Sequence, residues 1–214
     1  MVKRVMFIRP GETEWNRQGR WQGWVASPLS EQGKKQAAAL AKYIRHLDLS
    51  VLYTSTLRRA LQTVDALRPG LTCDVVEDYR LNERGVGLWQ GLTIHEMREW
   101  YPEDYARLLA DSENFRIPEG ESRADVRKRI TAAFNAYLAE DRGEMIGILS
   151  HTVAIKLLLE SLIHGVDAEK IGIGNMSVTT IRRTEEGWQL LVANDVAHLE
   201  GLESNAVKEP EERQ

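Results

Sequence analysis

Two arginines and a histidine, Arg9, Arg59 and His151, are the residues whose types point most directly to chemistry. Guanidinium groups present planar forks of N–H donors that match phosphate oxygens two at a time, and an imidazole can bind the same oxygens. Together they indicate a phosphoester site, provided that the fold brings them to one place. The alternative is ion pairing at the surface. In a chain with 28 lysines and arginines, spacing alone favours that alternative.

Each of these residues comes shortly after an apolar run that predicts a buried strand. Helix-patterned segments separate the runs, which implies crossover connections and a mostly parallel sheet. In such a sheet the ligand crevice lies beyond the carboxyl ends of the strands, so the residues that follow them are expected at one edge. The predicted strands span residues 5–8, 51–54 and 145–149, and the polar groups after them are residues 9–12, 55–59 and 150–151.

The segments between the strands have apolar residues at helical spacing. In the first of them Ser30 is the expected cap, and Ala37, Leu40 and Ile44 lie on one face. The predicted helices span residues 30–47, 57–67, 121–140 and 152–165, and a late hairpin is predicted over residues 178–195. The fold class is therefore α/β: a three-layer α/β/α sandwich whose mostly parallel sheet ends in an antiparallel hairpin.

Composition narrows the classes of function. The net charge of -4 argues against general affinity for nucleic acid or anionic membranes, and no apolar run approaches the roughly 18 to 20 residues that span a bilayer. The lone Cys73 excludes an internal disulfide and fits a reducing cytoplasm, while scattered histidines suggest no metal site. We expect a cytoplasmic protein without metal or cofactor, with one domain over residues 1–200 and a polar, flexible tail over residues 201–214.

Four stretches carry a resemblance to a known family. They are "IRPGETEWN", "YTSTLRRALQT", "LNERGVGLWQG" and "LSHTVAI". In this order they resemble the histidine phosphatase superfamily, in its phosphoglycerate-mutase-like branch of broad-specificity phosphatases. The similarity runs from about residue 3 to about residue 199 and includes "RWQGWVASPLSEQGKKQA", "PEGES" and "NDVAHLE". The resemblance implies a phosphoglycerate-mutase-like fold with a pocket for a phosphomonoester.

The roles of single residues follow from that resemblance. In the family, the histidine of an Arg-His-Gly motif attacks phosphorus and becomes a phosphohistidine. The arginine beside it matches Arg9, and the arginine of the second motif matches Arg59. The proton donor to the leaving group matches Glu83, and the second histidine, which steadies the transition state, matches His151. The remaining matches to phosphate-binding and substrate-binding positions are Asn16, Gln22 and Gly23.

Plainer alternatives exist for several of these residues. Glu83 could be a solvated loop carboxylate, although it lies between apolar Leu81 and a cluster of glycines. His151 could cap the helix that starts near Thr152, but that position is also where an anion is best received. For the tryptophans in or beside the expected pocket loops, we expect packing in the core or a lid rather than stacking on a substrate. They are Trp15, Trp21, Trp24 and Trp89.

Pro10 stands where the resemblance places the nucleophilic histidine. Proline has no nucleophilic or ionisable side-chain atom and no backbone N–H, and its ring fixes φ. The phosphohistidine step therefore cannot occur at this residue, because a covalent route needs an electron pair in line with the leaving oxygen. Mutase chemistry that passes a phosphoryl group through that histidine is excluded for the same reason.

Three functions remain open, all directed at a small phosphorylated metabolite or inorganic phosphate. The first is a phosphoester-binding protein that has lost the catalysis of the family. The second is a slow or rerouted phosphatase, in which water or His151 attacks while Glu83 protonates the leaving group. The third is a different acid/base enzyme that uses Glu83 and His151 on a phosphorylated metabolite. An inactivating substitution made in an ordinary phosphatase would give the same sequence, and a homodimer is left open.

Overall fold

The computed structural model describes residues 1–204, in which six strands form a single sheet. The strands are β1 (Arg4–Ile8), β2 (Val51–Thr54), β3 (Asp74–Glu77), β4 (Met145–Leu149), β5 (Val178–Thr184) and β6 (Gly187–Asp195). Their order across the sheet is β3-β2-β4-β1-β5-β6. The first four run parallel, β5 pairs antiparallel with β1, and β5 with β6 forms the hairpin. The predicted mostly parallel sheet with a late hairpin is confirmed.

Helices cover both faces of this sheet. They are α1 (Glu14–Arg17), α2 (Glu31–Ile44), α3 (Arg58–Leu67), α4 (Ile94–Trp100), α5 (Pro102–Ala110), α6 (Arg123–Glu140) and α7 (Thr152–Leu162). Along β1, Val5 and Phe7 pack in one apolar cluster with α6 and α7, whereas Met6 and Ile8 pack in a second cluster with α2 and α3. Because successive strand residues point to opposite faces, burial of all four requires a layer of helices on each side. The three-layer prediction is confirmed.

The helix α2 forms as its sequence predicts. Ser30 is its N-cap and accepts a hydrogen bond from the Gly33 N–H, which satisfies one of the donors left open at the first turn. Ala37, Leu40 and Ile44 are buried on one face of the helix. The helix ends at Ile44, three residues before the predicted end, although Leu47 still packs against the same apolar cluster.

Sequence patterns do not predict three elements of the fold. The edge strand β3 has only two apolar residues, and both of its ends are exposed, so it lacks the apolar run of a buried strand. The helices α4 and α5 lie in one aromatic and charged stretch that Pro102 divides, since a proline fits the first turn of a helix and not its interior. They pack around Trp89 in a third apolar cluster that is separate from the two sheet cores.

The predicted tail over residues 201–214 lies outside the described residues from position 205 onward. Within its described part, the carbonyl of Leu202 accepts hydrogen bonds from Gln32 Nε2 and Gln36 Nε2, each at 2.8 Å. The chain thus returns to α2 after the hairpin. Among residues 1–204, no helix is both long and apolar enough to cross a membrane.

Candidate functional site

Three strands of the sheet end at the same level. Ile8 of β1 pairs with Leu149 of β4, which also pairs with Thr54 of β2. The register continues one residue further, because the Ser150 N–H donates to the carbonyl of Ile8 and the Ser55 N–H to that of Leu149, both at 3.0 Å. The residues that follow these strands therefore leave the sheet at one edge, as the sequence predicts.

His151 is the centre of a hydrogen-bonded chain of side chains at this edge. Arg59 Nε donates to His151 Nδ1 at 3.3 Å, and His151 Nε2 lies 2.8 Å from Ser55 Oγ. Because Arg59 Nε can only donate, the ring proton belongs on Nε2, and Ser55 Oγ accepts it. Ser55 donates in turn to Asn82 Oδ1 at 2.8 Å. The imidazole is thus held as its neutral tautomer protonated on Nε2.

Burial and positive charge keep this imidazole neutral. His151 is 3% exposed, and its pKa lies well below the usual value, first because of burial and then because of the nearby charges of Arg59 and Arg9. Burial also lowers the pKa of Arg59, to about 10, which the charge of Glu83 opposes and that of Arg9 reinforces. Arg59 still carries its charge at neutral pH. Two guanidinium groups close enough to repel each other favour an anion between or beside them.

Surface ion pairing is the wrong description of Arg59. Its side chain lies inside the protein, 5% exposed, and its guanidinium donates to the carbonyls of Gly23 at 3.0 Å and Val25 at 3.4 Å. Gly23 has a φ of +52°, and a Cβ there would come within 2.6 Å of a Val86 methyl, so only glycine fits this turn without displacing its neighbour. The loop over residues 22–25 is therefore anchored on Arg59, the arginine that is predicted to bind phosphate.

At the start of α7, the side chain that accepts a hydrogen bond from the helix backbone is that of Glu83 and not that of His151. Its Oε2 accepts a hydrogen bond from the Val153 N–H at 3.2 Å, and its Oε1 accepts one from the Arg84 N–H at 2.8 Å. His151 occupies the N-cap position by its backbone, but its side chain makes no hydrogen bond to the helix. The His151 side chain thus does not cap the helix, and the Glu83 carboxylate is half-buried with both oxygens hydrogen-bonded to backbone N–H groups.

Arg129 of α6 fixes the segment that carries Glu83. Its guanidinium donates to the carbonyls of Arg80 at 2.8 Å, Asn82 at 2.6 Å and Glu83 at 2.9 Å. It also forms a two-pronged ion pair with Glu121, with both contacts at 2.8 Å. Two-pronged pairing to a largely buried carboxylate leaves the guanidinium little freedom. The Arg129 side chain, which Glu121 fixes, therefore holds the backbone of Glu83 in place.

Asn16 and Pro10 meet through Asn175. The Nδ2 group of Asn175 donates to the carbonyl of Pro10 at 3.2 Å and to Asn16 Oδ1 at 3.3 Å. Asn16 Oδ1 also accepts from the Thr13 N–H and hydroxyl, each at 3.0 Å, in the capping box of α1. The oxygen end of the Asn16 amide is thus occupied, which leaves its NH2 end as the one suited to an anion. Arg9, the residue before Pro10, donates to the carbonyl of Ile173 at 2.5 Å.

The remaining predicted residues are Gln22 and the tryptophans of the expected pocket loops. Gln22 precedes Gly23 in the anchored loop, and its Oε1 is buried without a hydrogen-bond partner among the described residues. Of the tryptophans, Trp89 is fully buried, as expected for core packing, whereas Trp24 is 51% exposed. Within residues 1–204, no three His, Cys, Asp or Glu side chains come together in a way that could hold a metal ion.

Sequence patterns missed three residues of this edge: Asn82, Arg129 and Asn175. Asn82 lies directly before Glu83, so the "LNERG" stretch contains it without marking its contact to Ser55. Arg129 is one of several basic residues in "RADVRKRI", and no local signal distinguishes it from them. Asn175 follows a glycine, which signals only a turn. The partner of Arg129, in contrast, lies in the "PEGES" stretch that the resemblance already includes.

The family model that describes the histidine phosphatase superfamily (branch 1) matches residues 5–196 of this chain. The chain belongs to the histidine phosphatase superfamily. Phosphoserine phosphatase 1 of Hydrogenobacter thermophilus is 33% identical to it over 202 residues, which cover 93% of this chain and 95% of that protein. The resemblance drawn from the four stretches is therefore confirmed at the level of the family.

Solved structures of family members have the same fold. The structure titled Bacillus stearothermophilus YhfR is 31% identical, with a TM-score of 0.82, and the match covers 92% of this chain and 98% of that one. A phosphoserine phosphatase from Entamoeba histolytica, solved as a histidine-to-alanine mutant in complex with phosphoserine, is 27% identical. Its TM-score is 0.80, and the match covers 93% of this chain and 100% of that one. The predicted phosphoglycerate-mutase-like architecture is confirmed.

Proposed function

We propose that this family member binds phosphate or a small phosphomonoester and that its phosphohistidine chemistry is lost or strongly reduced. The observation that carries the proposal is that Arg9, Arg59, Glu83 and His151 form one electrostatically coupled cluster, while Pro10, which follows Arg9, offers no nucleophilic atom. The two guanidinium groups would hold the phosphoryl oxygens. Glu83 would face the leaving group, as the resemblance implies.

A relative supports the separation of binding from chemistry. The Entamoeba histolytica phosphoserine phosphatase carries an alanine in place of one histidine and was solved in complex with phosphoserine. In that protein, ligand binding survives the loss of an imidazole. Charged guanidinium groups contribute more to anion binding than a neutral ring does, because hydrogen bonds from ionised donors are about twice as strong. The same reasoning applies to a pocket with proline at position 10.

The contacts of His151 disfavour this residue as a substitute nucleophile. Its Nδ1 lone pair accepts from Arg59, and its Nε2 carries the proton that Ser55 accepts. Attack on phosphorus would first require one of these hydrogen bonds to break in a buried site. Direct attack by water, with Glu83 as proton donor, needs no such rearrangement and is the second candidate, since sites without their nucleophile often keep roughly 10³-fold acceleration over water.

Replacement of Pro10 by histidine tests the proposal. The backbone at this position is held on both sides, because Asn175 binds the Pro10 carbonyl and the Gly11 N–H donates to Thr63 Oγ1 at 3.2 Å. A histidine would therefore enter a fixed turn. A nucleophile held in line gains about 7 to 11 kcal/mol at best, whereas an error of about 1 Å costs about a hundredfold in rate. We expect Pro10→His to raise phosphomonoester turnover clearly but incompletely.

The matched control is Pro10→Gln, which adds a polar side chain that cannot form a phosphoenzyme. An acid-labile phosphoenzyme should appear in Pro10→His and be absent from Pro10→Gln and the parent chain. If Pro10→His folds, binds phosphate and shows no gain over the parent, the pocket serves another purpose and the phosphatase-derived proposal fails. Rapid turnover by the parent chain would instead favour water attack, and phosphate trapped on His151 would identify that residue as the nucleophile.

A further inference from the structure

Trp24 is tied to both ends of the proposed phosphate pocket. Its neighbours Gly23 and Val25 offer the two carbonyls to which the Arg59 guanidinium donates. Its own indole Nε1 donates to the carbonyl of Glu83 at 2.6 Å. The indole is thus tied to the backbone of Glu83, and the loop that carries it is tied to the Arg59 guanidinium.

Despite these anchors, Trp24 remains half exposed to solvent. Trp24 is 51% exposed, and its Cε2 and Cζ2 atoms lie against Gly85, where a Cβ would come within 3.3 Å of each. The indole therefore rests on a bare stretch of backbone on one side. The N–H group of the indole is already bonded, so the exposed part of the ring is its apolar surface. An aromatic ring that is already immobilised loses little conformational entropy when a ligand covers it.

We propose that Trp24 is the subsite for the organic part of the ligand, and that this part is a flat apolar or aromatic group joined to the phosphate. The inference rests on the proposed phosphate site, which would place the phosphoryl group beside Arg59 and the ester substituent on the Glu83 side.

Two phosphonates that differ only in the organic group test this subsite. Phenylphosphonate and methylphosphonate have a stable carbon–phosphorus bond, so neither can be hydrolysed during a calorimetric titration of the native chain at constant ionic strength. The phenyl compound is expected to bind roughly 3- to 10-fold more tightly, as an aromatic contact of ordinary strength provides. Trp24→Ala should remove this preference and change the affinity for methylphosphonate by less than about twofold.

Two further variants separate stacking from other roles of the ring. Trp24→Phe keeps an aromatic face but lacks the N–H group that binds Glu83, and it should retain part of the phenyl preference. Trp100→Ala removes another exposed tryptophan, 58% exposed and located at the end of α4, and should leave both affinities unchanged.

The outcomes distinguish the subsite from the phosphate site. If inorganic phosphate and both phosphonates bind with no phenyl preference, or if the preference survives in Trp24→Ala, the subsite is refuted and the phosphate site stands. Equal weakening of both phosphonates by Trp24→Ala would also overturn the subsite, because it would assign the ring to holding the Glu83 segment. If neither phosphate nor a phosphonate binds, the proposed function fails together with the subsite.

Discussion

Acid is expected to destabilise this protein through His151. Burial, Arg59 and Arg9 hold the pKa of the folded-state imidazole well below 6.5, the value of the unfolded chain. As the pH falls below 6.5, the unfolded state takes up a proton that the folded state still refuses. The stability that the neutral imidazole contributes is therefore fully present above pH 6.5 and is lost as the pH falls toward the folded-state pKa.

The size of the effect follows from the width of this interval. Each pH unit between the two pKa values costs about 1.4 kcal/mol of unfolding free energy. Because the folded-state pKa lies well below 6.5, the unfolding free energy is expected to fall by up to about 1.4 kcal/mol per pH unit below pH 6.5 through His151 alone. Bound phosphate should reduce this loss, since a neighbouring dianion favours the imidazolium form.

The assay is urea unfolding across this pH interval for the native chain and for His151→Gln. The glutamine cannot titrate but still offers an oxygen to Arg59. His198, whose pKa burial also lowers, provides the matched control as His198→Gln. For each variant, subtracting its curve of unfolding free energy against pH from that of the native chain isolates the contribution of the replaced histidine. If His151→Gln loses stability with acid as steeply as the native chain does, the imidazole is not held neutral by its surroundings and the reasoning is refuted.

Two further substitutions test the framework of the site. Arg129→Met should lower the unfolding free energy by about 3 to 5 kcal/mol, because it leaves the largely buried Glu121 without its partner, and urea unfolding should show partial recovery when Glu121→Gln is added. Arg59→Met should abolish the stabilisation by phosphate that the native chain is expected to show, about 2.7 kcal/mol at a hundred times the dissociation constant. An equal rise in melting temperature with phosphate in native and variant proteins would contradict the assignment of Arg59.

Sequence patterns predicted the layers of the fold and the edge of the sheet where the site lies. Strands buried on both faces appear as unbroken apolar runs, so β1, β2 and β4 were visible without the structure. Once parallel pairing was inferred, Arg9 and His151 had to leave the sheet at one edge. The four family stretches added Glu83 and Asn16, because motifs in order identify positions that spacing alone cannot.

Other features depend on contacts between distant parts of the chain. Arg129 reaches carbonyls 46 to 49 positions away in sequence, and no local pattern encodes such a contact. The neutral form of His151 likewise follows from burial and from guanidinium groups on two other segments.

The sequence by itself thus determined which side chains are available: two guanidinium groups, a carboxylate, an imidazole, and proline at position 10. Tertiary structure decided the protonation of the imidazole and the orientation of these side chains, and it decided that Trp24 stays exposed while Trp89 is buried. The physical reason is that hydrophobic periodicity specifies which faces are buried, whereas electrostatic and hydrogen-bonding environments depend on distances that exist only after the chain has folded.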